Sequence, residues 1–242
     1  MELKGTTALV TGGAKRVGRQ IALSLAQRGS NILLHYRHSQ AEAEKTASEI
    51  RASGVQCRLF QADLSQTDEI LKMLQEISDG GIWPNILVNS ASLFYKTPFN
   101  IVKESDWDAL MDTNLKGPFL LSKEIGQRMR TEGGKIVNIA DWSGMRPYKD
   151  YSPYCVSKGG LITLTKTLAR DLAPNVTANA VAPGPVMLPE EMSGEEREAI
   201  IKKTVLGRIG SPEDVANAVG FLLENDFMNG AVLVVDGGRS LV

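Results

Sequence analysis

Short runs of near-continuous aliphatic and β-branched residues alternate with longer segments of helical period along the whole 242-residue chain. Thr6–Val10, Asn31–Tyr36, Cys57–Ala62, Ile86–Asn89, Lys135–Ile139, Thr177–Val181 and Val232–Val235 are the strand-like runs. An apolar run without polar alternation suits a strand covered on both faces, the environment of a parallel sheet. Helical segments fall near 17–28, 40–53, 66–78, 104–112, 115–131, 153–173 and 212–223. The repeat predicts an α/β fold: one Rossmann-type domain over 1–242, a doubly wound parallel sheet of about seven strands with helices on both faces.

Local punctuation supports these boundaries. Gly29 and Ser30 end the first helix, Gly54 the second, and Pro174 closes the segment ending Arg170-Asp171-Leu172-Ala173. Ser211-Pro212-Glu213-Asp214 reads as an N-cap, a proline at the first helical position and acids in the first turn. Residues 185–210 are the least regular, with Pro185, Pro189, Gly194 and Gly207, although Ser193-Gly194-Glu195-Glu196 can cap a short helix there. That stretch is either a flap over a ligand or a surface excursion. A net charge of −1 offers no basic surplus for nucleic acid, and no apolar run is long enough to span a bilayer. Cys57 and Cys155 lie too far apart for a CxxC or metal-ligand spacing, so no metal is expected. The first strand begins almost at Met1 with no signal-peptide core before it, and the chain is read as soluble and cytoplasmic.

The first strand ends in Thr11-Gly12-Gly13-Ala14-Lys15-Arg16-Val17-Gly18, and a helix follows. A glycine-rich strand-to-helix turn lets the backbone approach a pyrophosphate, and the helix N-terminus supplies free N–H groups. A TGxxxGxG fingerprint would place glycine at position 16. Arg16 stands there, and its cation suits a cofactor phosphate or an anionic part of a substrate. After the second strand comes His35-Tyr36-Arg37-His38-Ser39, where an NAD-selective chain would place an acid. Arg37, His38 and Ser39 instead supply donors for a 2′-phosphate, so NADP(H) is the expected cofactor. Asp63-Leu64 and Asn89-Ser90-Ala91-Ser92 end the third and fourth strands, on the edge where open α/β sheets bind ligands. Asp63 is placed to bond an adenine amino group or to cap the next helix, a role for which Ser65 competes.

Tyr154 and Lys158 stand four residues apart, on one face of the long helix after the fifth strand. An ammonium beside a phenol favours phenolate and lowers the phenol's pKa. Such a tyrosine can donate a proton as hydride reaches a carbonyl or imine. Asp141 lies 13 residues before Tyr154, at the end of the fifth strand. Asn114 opens or interrupts the preceding helix and can anchor a water that links Lys158 to bulk solvent.

With these motifs in hand, the chain resembles the short-chain dehydrogenase/reductases from end to end. The likeness rests on Asn89-Ser90-Ala91-Ser92, Asn114, Tyr154-Cys155-Val156-Ser157-Lys158, Asn179-Ala180-Val181-Ala182-Pro183-Gly184 and Val235-Asp236-Gly237-Gly238. That family uses an Asn–Ser–Tyr–Lys tetrad, and the resemblance implies catalytic roles for Asn114, Tyr154 and Lys158. It also implies that Pro183, Gly184 and Val186 touch the nicotinamide side, and that Gly12, Lys15, Val17, Gly18, Tyr36, Leu64, Asn89, Ala91 and Ser92 contribute to the cofactor site. The family serine is replaced by Asp141; Ser143 is nearby but two residues too close to Tyr154. Arg16, His35-Tyr36-Arg37 and Asp141 are similar to the pteridine and dihydromonapterin reductase branch. Phe94 matches the aromatic position that stacks a pterin there, and is otherwise a core or lid residue. Ser92, Leu188 and Arg16 join Phe94, Asp141 and Tyr154 as substrate-facing residues on this resemblance.

The leading expectation is therefore an NADPH-dependent pteridine-reductase-like enzyme. A carbonyl reductase such as a 3-oxoacyl-carrier-protein reductase is the alternative, and a non-catalytic NADP(H)-binding sensor is a third. A homotetramer is implied by the resemblance. Leu161, Ile162, Leu164 and Leu168 exceed one core-facing stripe, as suits a helix buried on a second side or a plain core helix.

Overall fold

The computed structural model describes residues 1–188 and 192–242. Seven strands form one parallel sheet: β1 (Thr7–Val10), β2 (Asn31–Tyr36), β3 (Cys57–Gln61), β4 (Ile86–Asn89), β5 (Gly134–Ile139), β6 (Val176–Pro183) and β7 (Val232–Val235). They lie in the order β3-β2-β1-β4-β5-β6-β7. The direction of winding reverses between β1 and β4, and a crevice opens there at the carboxyl ends of the strands.

The side-chain period of two divides the strands' apolar residues between two cores. Ala8 and Val10 point to one face with Ile32, Leu34, Ile86 and Val88. There they meet α1 (Arg16–Gln27), α2 (Gln40–Ala52) and α8 (Pro212–Glu224) through residues such as Ile21, Leu25, Ile50 and Val219. Leu9, Leu33, Leu87 and Ile136 point to the other. That face is covered by α3 (Thr67–Asp79), α5 (Gly117–Glu132) and α6 (Ser152–Asp171), through Ile70, Ile77, Ile125 and Leu168. Each fully buried aliphatic side chain contributes roughly 1.5–3 kcal/mol, so both layers are firmly seated.

Helix ends follow their residues. Ser211 and Asp214 form a reciprocal capping box at the start of α8, as the sequence predicts. Ser193 and Glu196 do the same for α7 (Gly194–Lys202). The Gly210 N–H donates to the Pro185 carbonyl at 3.0 Å and ties together the two ends of the irregular stretch. Pro189, singled out in that stretch, lies outside the described residues.

Two boundaries differ most from expectation. β6 continues two residues past Val181, because Pro183 at its end needs no N–H to pair with Val235. The helix expected over 104–112 ends as α4 (Glu104–Met111), and a π-helical turn over Asp112–Lys116 leads into α5. In α6, Leu161, Ile162 and Leu168 are buried within this chain itself and Leu164 is partly buried. Among the described residues, no helix is long and apolar enough to cross a membrane. Cys57 and Cys155 are buried free thiols.

Candidate active site

Every residue expected at the site except Asn89 and Asn114 lines one cleft of about 880 Å³ over the carboxyl edge of the sheet. The turn between β1 and α1 forms its floor near the crossover. Gly12 has φ +63° and a side chain there would meet the Ala91 backbone at 2.9 Å. Gly18 packs so tightly on the carbonyl of Gly12 that a Cβ would overlap it. Thr11 pins the two halves of the cleft together, its hydroxyl oxygen accepting the N–H groups of Ser90 and Ala91 at 2.9 and 3.0 Å.

Arg16 adopts φ +57°, so the left-handed backbone that favours glycine at this position survives with a long side chain. Its guanidinium crosses the cleft and donates to the Met187 carbonyl at 3.1 Å. His35 lies beneath the same turn. Its Nδ1 accepts the Gly12 N–H at 3.1 Å, which leaves the proton on Nε2 to donate to the Ala62 carbonyl at 3.0 Å. Burial lowers its pKa to about 4, so the ring is neutral and holds that tautomer.

At the end formed by β2 and β3, Arg37 pairs with Asp63 at 2.6 Å. Asp63 also accepts the N–H and hydroxyl of Ser65. Burial pushes its pKa up, but these bonds and the Arg37 charge outweigh it and hold the carboxyl below its ordinary range. Asp63 does not cap α3; Gln66 stands at that position.

At the other end, α6 brings Tyr154 and Lys158 to the cleft together. The Tyr154 hydroxyl donates to Asp141 Oδ2 at 2.9 Å. Asp141 Oδ1 accepts the Ser143 N–H at 2.7 Å, which fixes the carboxylate plane. Lys158 Nζ donates to the Ile139 carbonyl at 2.9 Å and sits 5.8 Å from the Tyr154 ring centroid. The lysine was expected to lower the phenol's pKa. The net direction is the reverse: burial, and then the charge and hydrogen bond of Asp141, push Tyr154 well above its ordinary value. Burial likewise raises Asp141, only partly offset by its hydrogen bonds and by Lys158. Burial lowers Lys158 to about 8, against the pull of Asp141.

Two expected residues stand behind the wall. Asn89 faces away from the cleft and donates to Ser122 Oγ and Asn138 Oδ1, in a buried network that reaches Thr165. Its place in the strand alternation decides this, and its neighbour Ser90 lines the cleft instead. Asn114 sits in the π-helical turn. Its Oδ1 accepts the Leu93 N–H at 2.7 Å, and its Nδ2 donates to the Leu93 carbonyl and to Ser157 Oγ. Those bonds clamp the loop after β4 onto α6; none reaches Tyr154 or Lys158. Asn114 thus clamps the loop that carries Phe94.

With the site's geometry described, its relatives can be compared. The family profile described as Enoyl-(Acyl carrier protein) reductase matches residues 12–240. The chain is 36% identical to a 3-oxoacyl-[acyl-carrier-protein] reductase FabG of Staphylococcus aureus, over 96% of this chain and 97% of that protein. It is 33% identical to a short-chain type dehydrogenase/reductase of Picea abies, over 98% and 93%. The chain belongs to the short-chain dehydrogenase/reductase family. This short-chain dehydrogenase/reductase is accordingly an oxidoreductase. Its fold is similar to that of a putative gluconate dehydrogenase from Agrobacterium tumefaciens, with TM-score 0.94, 32% identity and coverage of 100% and 98%. It is equally similar to the FolM alternative dihydrofolate reductase 1 from Brucella canis complexed with NADP, with TM-score 0.93, 31% identity and coverage of 100% and 96%.

Sequence reasoning missed part of this short-chain dehydrogenase/reductase cleft. Phe94 stacks on Tyr151 with ring centroids 4.8 Å apart and meets Tyr154 edge-on at 4.8 Å. Tyr148 and Trp142 continue the same wall, in contact at 5.2 Å. Phe94 was expected here; Tyr148 and Tyr151 lie in the connection before α6, which has no periodicity to betray them. The role of His35 had a signal, its position one residue before Tyr36 on the strand that faces the glycine turn.

Proposed function

We propose that this chain is an NADPH-dependent reductase of a pterin-like ring, with Tyr154 as proton donor. The observation that carries the reading is the hydrogen bond from Tyr154 to Asp141 beside the ring of Phe94. A serine hydroxyl at that place suits a ketone oxygen. A carboxyl group instead accepts hydrogen bonds from the amino group and ring N–H of a pterin. The likeness to the alternative dihydrofolate reductase supports the same reading.

The residues present fit a nicotinamide dinucleotide. Thr113 lines the cleft with a buried hydroxyl that has no partner among the described residues. The glycine turn and the start of α1 suit a pyrophosphate. Arg37, His38 and Ser39 would hold the 2′-phosphate, which competes with Asp63 for Arg37. Pro183, Gly184 and Val186 would flank the nicotinamide, and Tyr36, Asp63 and Leu64 the adenosine. The cofactor supplies hydride.

The chain's own residues manage the proton. Because its pKa is raised, Tyr154 keeps its proton at neutral pH and is a donor when a C=N carbon accepts hydride and its nitrogen needs a proton. Asp141 holds that hydroxyl in place and, with its own raised pKa, can carry a replacement proton. Lys158 keeps its charge near neutral pH and offsets negative charge left on Tyr154. Met187, Leu188 and Met192 line the cleft, which supports reading their part of the chain as a flap.

The test is NADPH oxidation by the purified enzyme with dihydrobiopterin or dihydromonapterin. Turnover that Tyr154→Phe abolishes supports the reading, and no oxidation above background removes the pterin claim. The second reading, a 3-oxoacyl-carrier-protein reductase, is favoured by the 36% identity to FabG. Activity on acetoacetyl thioesters without pterin turnover would establish it. We also read the chain as a homotetramer. Exposed Trp107, Phe119 and Val156 on α4–α6 and Val234 on β7 support this, and light scattering in solution tests it.

A further inference from the structure

The aromatic wall ends on a cation. Beyond Phe94 and Tyr151, the Tyr148 ring lies 5.8 Å from Tyr151 and 5.2 Å from Trp142. The Arg239 guanidinium then covers the Trp142 ring at 5.5 Å. Arg239 comes from the last turn of the chain, where Asp236 accepts the N–H groups of Gly238 and Ser240 and so fixes the backbone. One of its nitrogens donates to the Lys203 carbonyl at 3.0 Å. Among the described residues no carboxylate lies within ion-pair distance of it. It is half-buried and lines the same cleft as Tyr154. Lys149 lines the rim as well.

A guanidinium seated over an indole and anchored by one N–H leaves its other donors free to act as a fork. That is the arrangement that binds a carboxylate or phosphate in two-point fashion. We propose that Arg239 is the recognition site for an anionic group on the substrate, remote from the bond that is reduced. The substrate class is then a flat reducible group carrying an acidic tail, the flat part along the aromatic wall and the acid at Arg239. This rests on the reductase reading above but not on the pterin identity. The anion has two possible sources, the carboxylate of an amino-acid tail or the phosphate of a thioester carrier.

The experiment compares paired substrates in wild type and Arg239→Gln. Dihydrofolate has the acidic tail and dihydrobiopterin lacks it; acetoacetyl-CoA has phosphates and acetoacetyl-N-acetylcysteamine lacks them. For the charged member of whichever pair is turned over, KM is expected to rise about tenfold or more in Arg239→Gln with kcat little changed. KM for the neutral member is expected to stay put, and Arg239→Lys to recover part of the loss. Thioester turnover alone would remove the pterin reading while leaving the Arg239 site testable on the thioester pair. If neither pair is turned over, titrating the NADP-loaded protein with folate and with biopterin, by quenching of its tryptophan fluorescence, measures the same difference in Kd. Equal changes for the charged and neutral members, or none for either, overturn the proposal.

Discussion

Replacing Lys158 with methionine tests the electrostatics of the cleft without reference to any substrate. Methionine keeps most of the length of the side chain and removes the charge. Burial lowers the lysine from 10.5 to about 8, so the folded chain binds that proton less tightly than the unfolded chain. Burying the lysine therefore costs about 3 kcal/mol near pH 7, where it is charged, and only about 1.4 kcal/mol near pH 9.5, where the folded chain holds it as a neutral amine. Between the two pKa values the unfolded chain carries more protons, so the wild type gains stability as pH rises. Methionine gives up the bond to the Ile139 carbonyl, worth about 1–2 kcal/mol. Near neutral pH the variant is thus expected to be about 1–2 kcal/mol more stable than wild type, while turnover is lost. The sharper readout is the difference between the two proteins. On urea unfolding it should shift by about 2 kcal/mol in favour of wild type between about pH 7 and about pH 9.5. A difference that does not move with pH would refute the idea that Lys158 is a buried, strained cation.

Gly18→Ala places a Cβ against the backbone carbonyl of Gly12, which cannot yield as a side chain tip would. Destabilisation of about 1–3 kcal/mol on thermal unfolding and a raised KM for NADPH are expected. Arg37→Ala should raise KM for NADPH by roughly tenfold to a hundredfold and leave NADH nearly unchanged; an equal loss for both cofactors would show that Arg37 does not read the 2′-phosphate. His35 is held neutral by burial, with its pKa lowered from 6.5 to about 4. Its contribution is present above about pH 6.5 and lost as pH falls toward about 4, a change of up to about 3 kcal/mol that His35→Gln should flatten in acid unfolding curves.

The sheet was legible because most of its strand positions obey one rule. A strand buried on both faces is apolar at most positions, and Ile32–Leu34 or Ile86–Val88 can hardly be read otherwise. The pairing of Tyr154 with Lys158 was equally legible, since four residues make one helical turn. What escaped was whatever depended on direction or on distance along the chain. Asn89 looks like a site residue until the alternation of its strand turns it toward Ser122. Asn114 is marked by its motif, but only the fold shows that its amide bonds Leu93 and Ser157. The expected effect of Lys158 on Tyr154 failed because the local rule omitted burial and the carboxylate on the phenol. Arg239 is separated from Trp142 by most of the second half of the chain, and nothing local connects them.

The contact of Arg16 with Met187 bears on how such a chain can change over time. β1 to β3 carry the expected nucleotide end of the cleft and β4 to β7 the end that holds Tyr154. Arg16 belongs to the first half and reaches into the second, yet its acceptor there is a main-chain carbonyl. The tie is therefore indifferent to which side chain occupies position 187. Successive substitutions can reline that half and recruit new substrates while the two halves stay fastened by a bond that a changed side chain at position 187 does not remove.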